Sequence, residues 1–349
     1  MGVGCFVAYA PPLMDSAKPT SSGPVLVTGG AGYVGSHAVR CLQDNGIEVV
    51  VVDNLSTGFE RLIQAPLEVV DLRDKESLTE VMRRHKPRAV MHFAARCYVG
   101  ESVRDPEGYY ETNLMGAWNL LSSMREVGCQ TLVTSSTCAV YGVPQELPIP
   151  DDHSRDPISP YGRSKLAVEF LAEDFSRAYG FRVGRLRYFN AAGASHDASI
   201  GELHEPETHI IPLVMRATQP GAQPFTIYGT DYDTPDGTCI RDYVHVEDLA
   251  DAHLLALKRC EDSGGFACNL GTGRGFSVRE VISSVERVSG LQVSYQTGDR
   301  REGDPPVLVS GGRFAGEVLG WDPKRAELDR IVEDAWRFEQ AQSPGVSAT

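Results

Sequence analysis

Residues 25–37 read Val25-Leu-Val-Thr-Gly-Gly-Ala-Gly-Tyr-Val-Gly-Ser-His37, and four glycines, Gly29, Gly30, Gly32 and Gly35, fall within seven residues directly after a short apolar run. Between a strand and a helix, Gly30-x-Gly32-x-x-Gly35 lets a pyrophosphate lie against free N–H groups at a positive helix end, because no Cβ stands in the way. Tight turns and close helix–strand packing also ask for glycine, so the turn alone does not decide. A second signal follows. The next apolar run ends in Val50-Val-Val-Asp53, 18 residues after Gly35. A carboxylate there accepts hydrogen bonds from the adenosine ribose and repels a 2′-phosphate, which selects NAD over NADP. A strand-end Asp at the surface is the plain alternative.

Outward from this turn, apolar strands alternate with helical patterns. The spacing predicts elements at Pro24–Thr28, Val34–Asn45, Glu48–Val52, Leu67–Val70, Lys75–His85, Ala89–His92, Tyr109–Glu126, Thr131–Ser135, Tyr161–Tyr179 and Arg182–Arg187. Such a rhythm predicts an α/β fold with a doubly wound parallel sheet, the Rossmann arrangement. After about Gly193 the elements shorten and Pro/Gly-rich loops such as Gln219-Pro-Gly-Ala-Gln-Pro224 intervene. The expected division is a mobile tail over 1–23, a dinucleotide-binding domain over 24–192, and a smaller α/β substrate lobe over 193–340, interleaved with the first. A loose tail over 341–349 completes it. Val3–Ala10 is apolar, but it is short and follows no basic segment, so it does not read as a signal peptide. Met14 is an alternative start.

Composition narrows the function classes. With 349 residues, 42% hydrophobic and 23% charged, the chain can bury one large core or two smaller ones. A formal charge of −14 and a pI near 5.1 speak against a nucleic-acid groove, so an anionic ligand must be held by local donors. Eight cysteines lie scattered without a C-x-x-C pair or a metal-ligand spacing, as suits reduced thiols in a cytoplasm.

A reaction is suggested by Ser159-Pro-Tyr-Gly-Arg-Ser-Lys165, where the i, i+4 spacing puts the Tyr161 phenol and the Lys165 ammonium on one helix face. A phenol titrates at about 10 unperturbed, and a cation beside it favours the phenolate, so Tyr161 can exchange a proton with a sugar hydroxyl. The hydroxyl-rich end of Thr131-Leu-Val-Thr-Ser-Ser-Thr137 offers Thr137 as a partner to the same substrate oxygen. The competing reading is an ordinary amphipathic helix with Val168, Leu171, Phe175 and Tyr179 as its apolar stripe.

Taken together, Thr28-Gly-Gly-Ala-Gly-Tyr-Val-Gly35, Val52-Asp-Asn-Leu-Ser-Thr-Gly58, Met91-His-Phe-Ala-Ala95, Ser135-Ser-Thr-Cys-Ala-Val-Tyr-Gly142, Tyr161-x-x-x-Lys165 and Leu186-Arg-Tyr-Phe-Asn190 resemble the extended short-chain dehydrogenase/reductases. Within them the chain is similar to the UDP-glucose 4-epimerase family. The segments from Ile227 to His245 and Arg300-Arg-Glu-Gly-Asp304 agree, and the likeness runs from about Pro24 to Gln340.

For the cofactor, the resemblance implies that Gly29, Gly32, Tyr33, Val34 and Gly35 meet the NAD pyrophosphate. Asp53, Asn54, Ser56, Thr57 and Gly58 hold the ribose side, and Asp71 and Leu72 meet the adenine. Phe93, Ala94, Ala95, Cys97, Asn113, Lys165 and Phe189 complete that site. Tyr161 is the implied acid/base, Lys165 its electrostatic partner and Thr137 a sugar ligand. Asn190, His209, Tyr228, Arg241, Arg301 and Asp304 are implied for the UDP-sugar, with Leu308 closing the pocket around the sugar's 2-substituent. Two departures from the family are Arg96-Cys97, where some members have a lysine near the nicotinamide, and Thr137 in place of the commoner serine. The implied reaction inverts C4 of a UDP-hexose through a transient 4-keto sugar.

A homodimer is implied too, through helices near Tyr109–Glu126 and Tyr161–Tyr179. Alternatives are a UDP-pentose 4-epimerase, a nucleotide-sugar dehydratase or a non-catalytic NAD-binding protein. A dehydratase needs a carboxylic acid where this chain has Cys138 and Ala139, and a non-catalytic protein has no need of Tyr161 and Lys165. No metal is expected, because His204 and His209 show no third ligand at a sensible spacing. Neither a nucleic acid nor a membrane is an expected partner.

Overall fold

The computed structural model describes residues 22–301 and 303–342, so the expected N-terminal tail over 1–21 and the segment 343–349 lie outside the described residues. Its first part runs β1 (Val25–Thr28), α1 (Tyr33–Asp44), β2 (Val49–Asp53), β3 (Leu67–Val69), α2 (Lys75–His85), β4 (Ala89–His92), α3 (Val99–Arg104), α4 (Pro106–Tyr109), α5 (Gly116–Val127), β5 (Thr131–Thr137), α6 (Pro160–Tyr179) and β6 (Arg182–Tyr188). The second part follows as β7 (Asn190–Ala192), α7 (Ile210–Arg216), β8 (Phe225–Tyr228), β9 (Ile240–His245), α8 (Val246–Ser263), β10 (Phe266–Leu270), β11 (Gly275–Ser277), α9 (Val278–Ser289), β12 (Tyr295–Gly298), β13 (Val307–Leu308), α10 (Arg313–Leu319) and α11 (Leu328–Gln342).

Seven strands form one parallel sheet in the order β10-β6-β5-β4-β1-β2-β3. This is the expected doubly wound sheet. It is covered on both faces, and the strand sequences show why. Side chains alternate across a strand, so Val25 and Val27, Val49 and Val51, and Ala89 and Met91 enter the core beneath α1 and α8. Leu26, Val52, Val90 and Leu132 enter the opposite core beneath α2, α5 and α6. Both parities are apolar, as a doubly covered parallel strand requires. The chain order reverses at β1 and β4, and the crevice beyond the carboxyl ends of those strands is where α/β sheets bind ligands.

The second part builds a smaller layer. β9 pairs with β7, β11 and β13, while β8 and β12 make a separate parallel pair. α7, α9 and α11 cover them around Val214, Tyr243, Val281 and Ile331. Two elements return to the first layer: α8 packs on α1, and β10 becomes an edge strand beside β6. At the tail boundaries, Gly23 packs its backbone against the Lys86 carbonyl, and α11 continues through Gln342, where Arg61 meets the glutamine side chain at 2.7 Å.

The expected helix over Tyr109–Glu126 is interrupted. α4 passes through a wide π turn at Tyr110–Met115 before α5 begins. The turn directs Asn113 inward, where its side chain accepts from Arg96 N at 2.8 Å and donates to Arg96 O and Ser164 Oγ, both at 3.0 Å.

Candidate active site

At the carboxyl end of β1 the chain makes the glycine turn. Gly29 adopts φ +71°, and a Cβ there would press on Ala94. A Cβ on Gly35 would overlap the Gly29 carbonyl oxygen. Gly32 is different: a Cβ would meet only Gly29 O, at 3.4 Å. Gly32 is also the N-cap of α1, and no side chain caps that end. The first-turn N–H groups of α1 therefore face an open space that the protein leaves free, and its lining suits a pyrophosphate.

The rest of the expected NAD-binding set gathers around this turn. The Asp53 carboxylate accepts from Ala31 N at 3.0 Å and Leu55 N at 2.8 Å, which fixes it beside the turn. Burial raises its pKa and these two bonds oppose the rise. Ser56 and Thr57 follow in the same loop, and Gly58 packs against Ala31. Asn54 donates to Asp71 at 2.9 Å, and Arg73, bonded to the same acid, holds its carboxyl well below the usual range. Leu72 is buried next to it. Val34 opens α1 beside Tyr33. Tyr33 sends its phenol to Gly193 O at 2.6 Å and so ties the turn to the second layer. Phe93, Ala94 and Ala95 follow β4, with Ala94 N bonded to Thr28 O at 3.1 Å. Asn113 pins the continuation at Arg96, and Phe189 ends β6 with its amide on Leu270 O.

The proton-transfer groups sit at the end of β5. Ser159 caps α6 through Gly162 N at 3.1 Å, with Pro160 at the first helical position, so Tyr161 stands in the opening turn. Its phenol lies beside Thr137, whose Oγ1 accepts from Ala139 N at 3.1 Å. Lys165, one turn on and 4% exposed, donates to Ser135 Oγ at 3.0 Å. Burial pushes the lysine down to about 8 and the Tyr161 phenol up. Sequence reasoning had Lys165 hold Tyr161 ionised. The two residues stand one turn apart on α6, and burial is the largest influence on each of them.

The residues expected to hold the sugar nucleotide come mainly from the second part of the chain. Asn190 donates to Asp242 O at 3.1 Å. Arg241 pairs with Asp304, whereas its neighbour Asp242 turns away to Thr272, Gly273 and Ser310. The adjacent acid therefore does not neutralise Arg241; an acid 63 positions later does. The Arg301 guanidinium lies 4.1 Å from the centroid of the Tyr228 ring, which is 41% exposed at the rim. Leu308 pairs in register with Arg241 and packs on the cluster of Cys138, Val140, Tyr141, Ile149, Leu166 and Phe189.

Some participants were missed in the sequence. Ser135 shares a strand face with Thr137, a period-two signal that was available. Tyr188 also hydrogen-bonds Ser135. His209 meets Glu202 and Glu207, which no spacing rule singled out, and these two acids hold the His209 imidazole well above its ordinary pKa.

Known proteins resemble this chain in sequence and fold. Residues 25–271 match the model of the NAD dependent epimerase/dehydratase family. The UDP-glucose 4-epimerase of Rhizobium meliloti is 46% identical over 323 residues, covering 92% of this chain and 98% of that protein. The crystal structure of UDP-glucose 4-epimerase from Brucella ovis in complex with NAD superposes with a TM-score of 0.88 at 46% identity, covering 91% and 98% of the two chains. That of UDP-glucose-4-epimerase from Stenotrophomonas maltophila, with bound NAD and formylated UDP-arabinopyranose, also gives 0.88, at 38% identity and the same coverage. The chain belongs to the NAD dependent epimerase/dehydratase family and, within it, to the UDP-glucose 4-epimerases.

Proposed function

We infer that the protein interconverts UDP-glucose and UDP-galactose by inverting C4, with NAD as a retained cofactor. The reading rests on the junction of β5 and α6, where Lys165 bonds Ser135 and Tyr161 opens the helix beside Thr137. NAD, when bound, supplies a reversible hydride acceptor and, oxidised, a positive charge close to the phenol. Tyr161 takes the proton of the 4-hydroxyl as that carbon is oxidised. Thr137 holds the same oxygen, and the buried site excludes water from the 4-keto sugar. Once the sugar has turned its other face, Tyr161 returns the proton. Arg241 and Arg301 receive the diphosphate, Tyr228 and His209 flank the nucleotide, and Asn190, Asp304 and Leu308 border the sugar.

In this reading, residues 24–192 hold NAD and 193–340 mainly hold the sugar nucleotide. The separate β7-β9-β11-β13 layer supports the division, and the return of α8 and β10 to the large sheet makes the two interleaved. The protein works as a cytoplasmic homodimer. Exposed Val99, Val103, Tyr110, Met115, Trp118 and Phe170 on α3, α5, α6 and the π turn between them form the apolar surface for that contact. Among the described residues, no helix is long and apolar enough to cross a membrane. A pentose substrate is the second reading, favoured by the UDP-arabinopyranose derivative in the Stenotrophomonas structure. Incubation with UDP-galactose and no added NAD, followed by NMR, should give UDP-glucose. Turnover of UDP-xylose alone would replace the hexose reading with the pentose one.

A further inference from the structure

The loop joining β7 to α7 carries four side chains, of which the reaction gives a part only to His209. Glu202, His204, Glu207 and His209 each present one donor atom, and the four lie within 4.8 Å of one another. His209 Nδ1 stands 2.7 Å from Glu202 Oε1 and 3.0 Å from Glu207 Oε1. His204 Nδ1 stands 3.2 Å from Glu202 Oε1 and 3.9 Å from Glu207 Oε2. The two carboxylates are sunk into the protein, with side chains 8% and 1% exposed.

Their hydrogen bonding is incomplete. His209 Nδ1 has one proton to give, and its bond of proper angle goes to Glu207 Oε1. Glu202 Oε1, His204 Nδ1 and Glu207 Oε2 are all buried without a hydrogen-bond partner. They point at one another. Two buried anionic groups facing two imidazoles, with three donors unsatisfied, is a costly arrangement if protons alone must balance it. A divalent ion between them answers each defect: it neutralises both carboxylates and fills the idle lone pairs.

We propose that Glu202, His204, Glu207 and His209 bind a divalent transition-metal ion, zinc by ligand type. A tetrahedral zinc with bonds of about 2.0–2.1 Å sets its donors roughly 3.3–3.4 Å apart; the four His–Glu separations, 2.7, 3.0, 3.2 and 3.9 Å, bracket that value, and the whole set lies within 4.8 Å. Two imidazoles with two carboxylates suit zinc or its first-row neighbours and do not suit calcium or magnesium. In the sequence His204 and His209 flank acidic residues on a Pro-rich loop, and only the fold shows that Glu202 and Glu207 turn toward both imidazoles.

The position gives the ion a task. The Tyr98 ring lies 5.9 Å from the His204 ring and 6.1 Å from that of His209, and the Tyr33 ring lies 6.3 Å from His204. The ion thus fastens a long irregular loop to the cofactor turn and to the segment after β4. Its role is to position that loop. His209 takes part through Nδ1, which leaves Nε2 for the sugar nucleotide.

The test uses untagged full-length protein. After gel filtration without chelator, mass spectrometry should find about one zinc per chain. EDTA should lower Tm and added zinc restore it. Metal-free protein titrated with Co2+ should develop the visible bands of four-coordinate cobalt at one equivalent. Glu207→Gln and His204→Ala should each weaken metal binding at least tenfold. Absence of both zinc and a cobalt spectrum in the parent protein would overturn the proposal. So would unchanged metal content in both variants. The cobalt spectrum of the parent decides the matter even where a variant fails to fold.

Discussion

Lys165 donates its 3.0 Å hydrogen bond to Ser135, two residues before Thr137 on the same face of β5. Thr137 in turn stands beside the phenol of Tyr161. The strand therefore sets the positions of both partners of the proton-transfer pair. Tyr161→Phe removes the acid/base without touching the glycine turn, so kcat should fall roughly 10²–10⁴-fold while NAD content is unchanged. Ser135→Ala leaves the phenol but frees the lysine, and a loss of about tenfold, restored by Ser135→Thr, is expected. Steady-state kinetics with parallel NAD quantification checks both. Full activity in Tyr161→Phe would assign the base elsewhere.

Gly32 and Gly35 separate the demands of folding from those of the cofactor. An alanine at 35 collides with the Gly29 carbonyl, and it should destabilise the protein by roughly 1–3 kcal/mol. An alanine at 32 meets only one atom, at 3.4 Å, and its backbone at φ −80° suits any residue. Gly32→Ala should keep stability to within about 0.5 kcal/mol yet bind NAD at least tenfold more weakly. Calorimetry and a cofactor-retention assay decide; equal NAD content in Gly32→Ala would mean the open space is not the cofactor's.

Acid should weaken the fold through its buried histidines. Burial pushes His37 and His253 down to about 4 and His92 to about 3, against an ordinary 6.5. Each is neutral when folded and protonates on unfolding, so the unfolded chain binds more protons and stability rises with pH through this window. It is lost as pH falls from about 6.5 toward 4, by up to about 1.4 kcal/mol per pH unit for each histidine. Buried carboxylates contribute with either sign, Glu202 and Glu169 being lowered and Asp53 and Asp242 raised. Removing one histidine separates its share from theirs. Urea midpoints across that range should fall with acid. His253 Nε2 has no partner to lose, so His253→Leu should make the fall shallower by about one proton.

Leu308 lies opposite Arg241 in the β13–β9 pair and rests on Phe189 and Tyr141. We propose that its branched side chain there narrows the space for a sugar 2-substituent. The parent enzyme should prefer UDP-galactose over UDP-N-acetylgalactosamine, since a clash of a few atoms is worth about 1–3 kcal/mol. Leu308→Ala should shift the ratio of kcat/KM toward the N-acetyl sugar about tenfold. An unchanged ratio would remove this residue from the pocket.

The first layer was readable because its signals are local. β1, α1 and β2 follow from the glycine turn and the apolar runs beside it, and α2 and β4 fall where the spacing put them. β5 extends two residues beyond the expected Ser135, because its last residues are hydroxyls that carry no strand signal yet are held by pairing with β6. The place of β10 was not readable: its partner β6 lies 78 residues earlier, and no periodicity encodes that distance. The π turn at Tyr110–Met115 was hidden for a similar reason, since Asn113 is drawn inward by Arg96 and Ser164, residues on other elements. In the site, the turn, Asp53 and the Tyr161/Lys165 pair could be read directly. The Arg241–Asp304 pair and the companions of His209 depend on how distant loops meet.

The bond from the Tyr33 phenol to the Gly193 carbonyl crosses from the cofactor turn to the entrance of the sugar-binding loops. Gly193 has little freedom there: its φ is +92°, and the His245 ring fills the space where a side chain would go. Whatever orders one end of this latch therefore relieves the other of part of its entropy cost. Such coupling is reciprocal, so the factor by which NAD tightens the grip on a sugar nucleotide is the factor by which the sugar nucleotide slows cofactor escape at equal association rate. For an enzyme that must recover the same hydride on every turnover, occupancy of the sugar pocket becomes its own safeguard against losing the cofactor in mid-cycle.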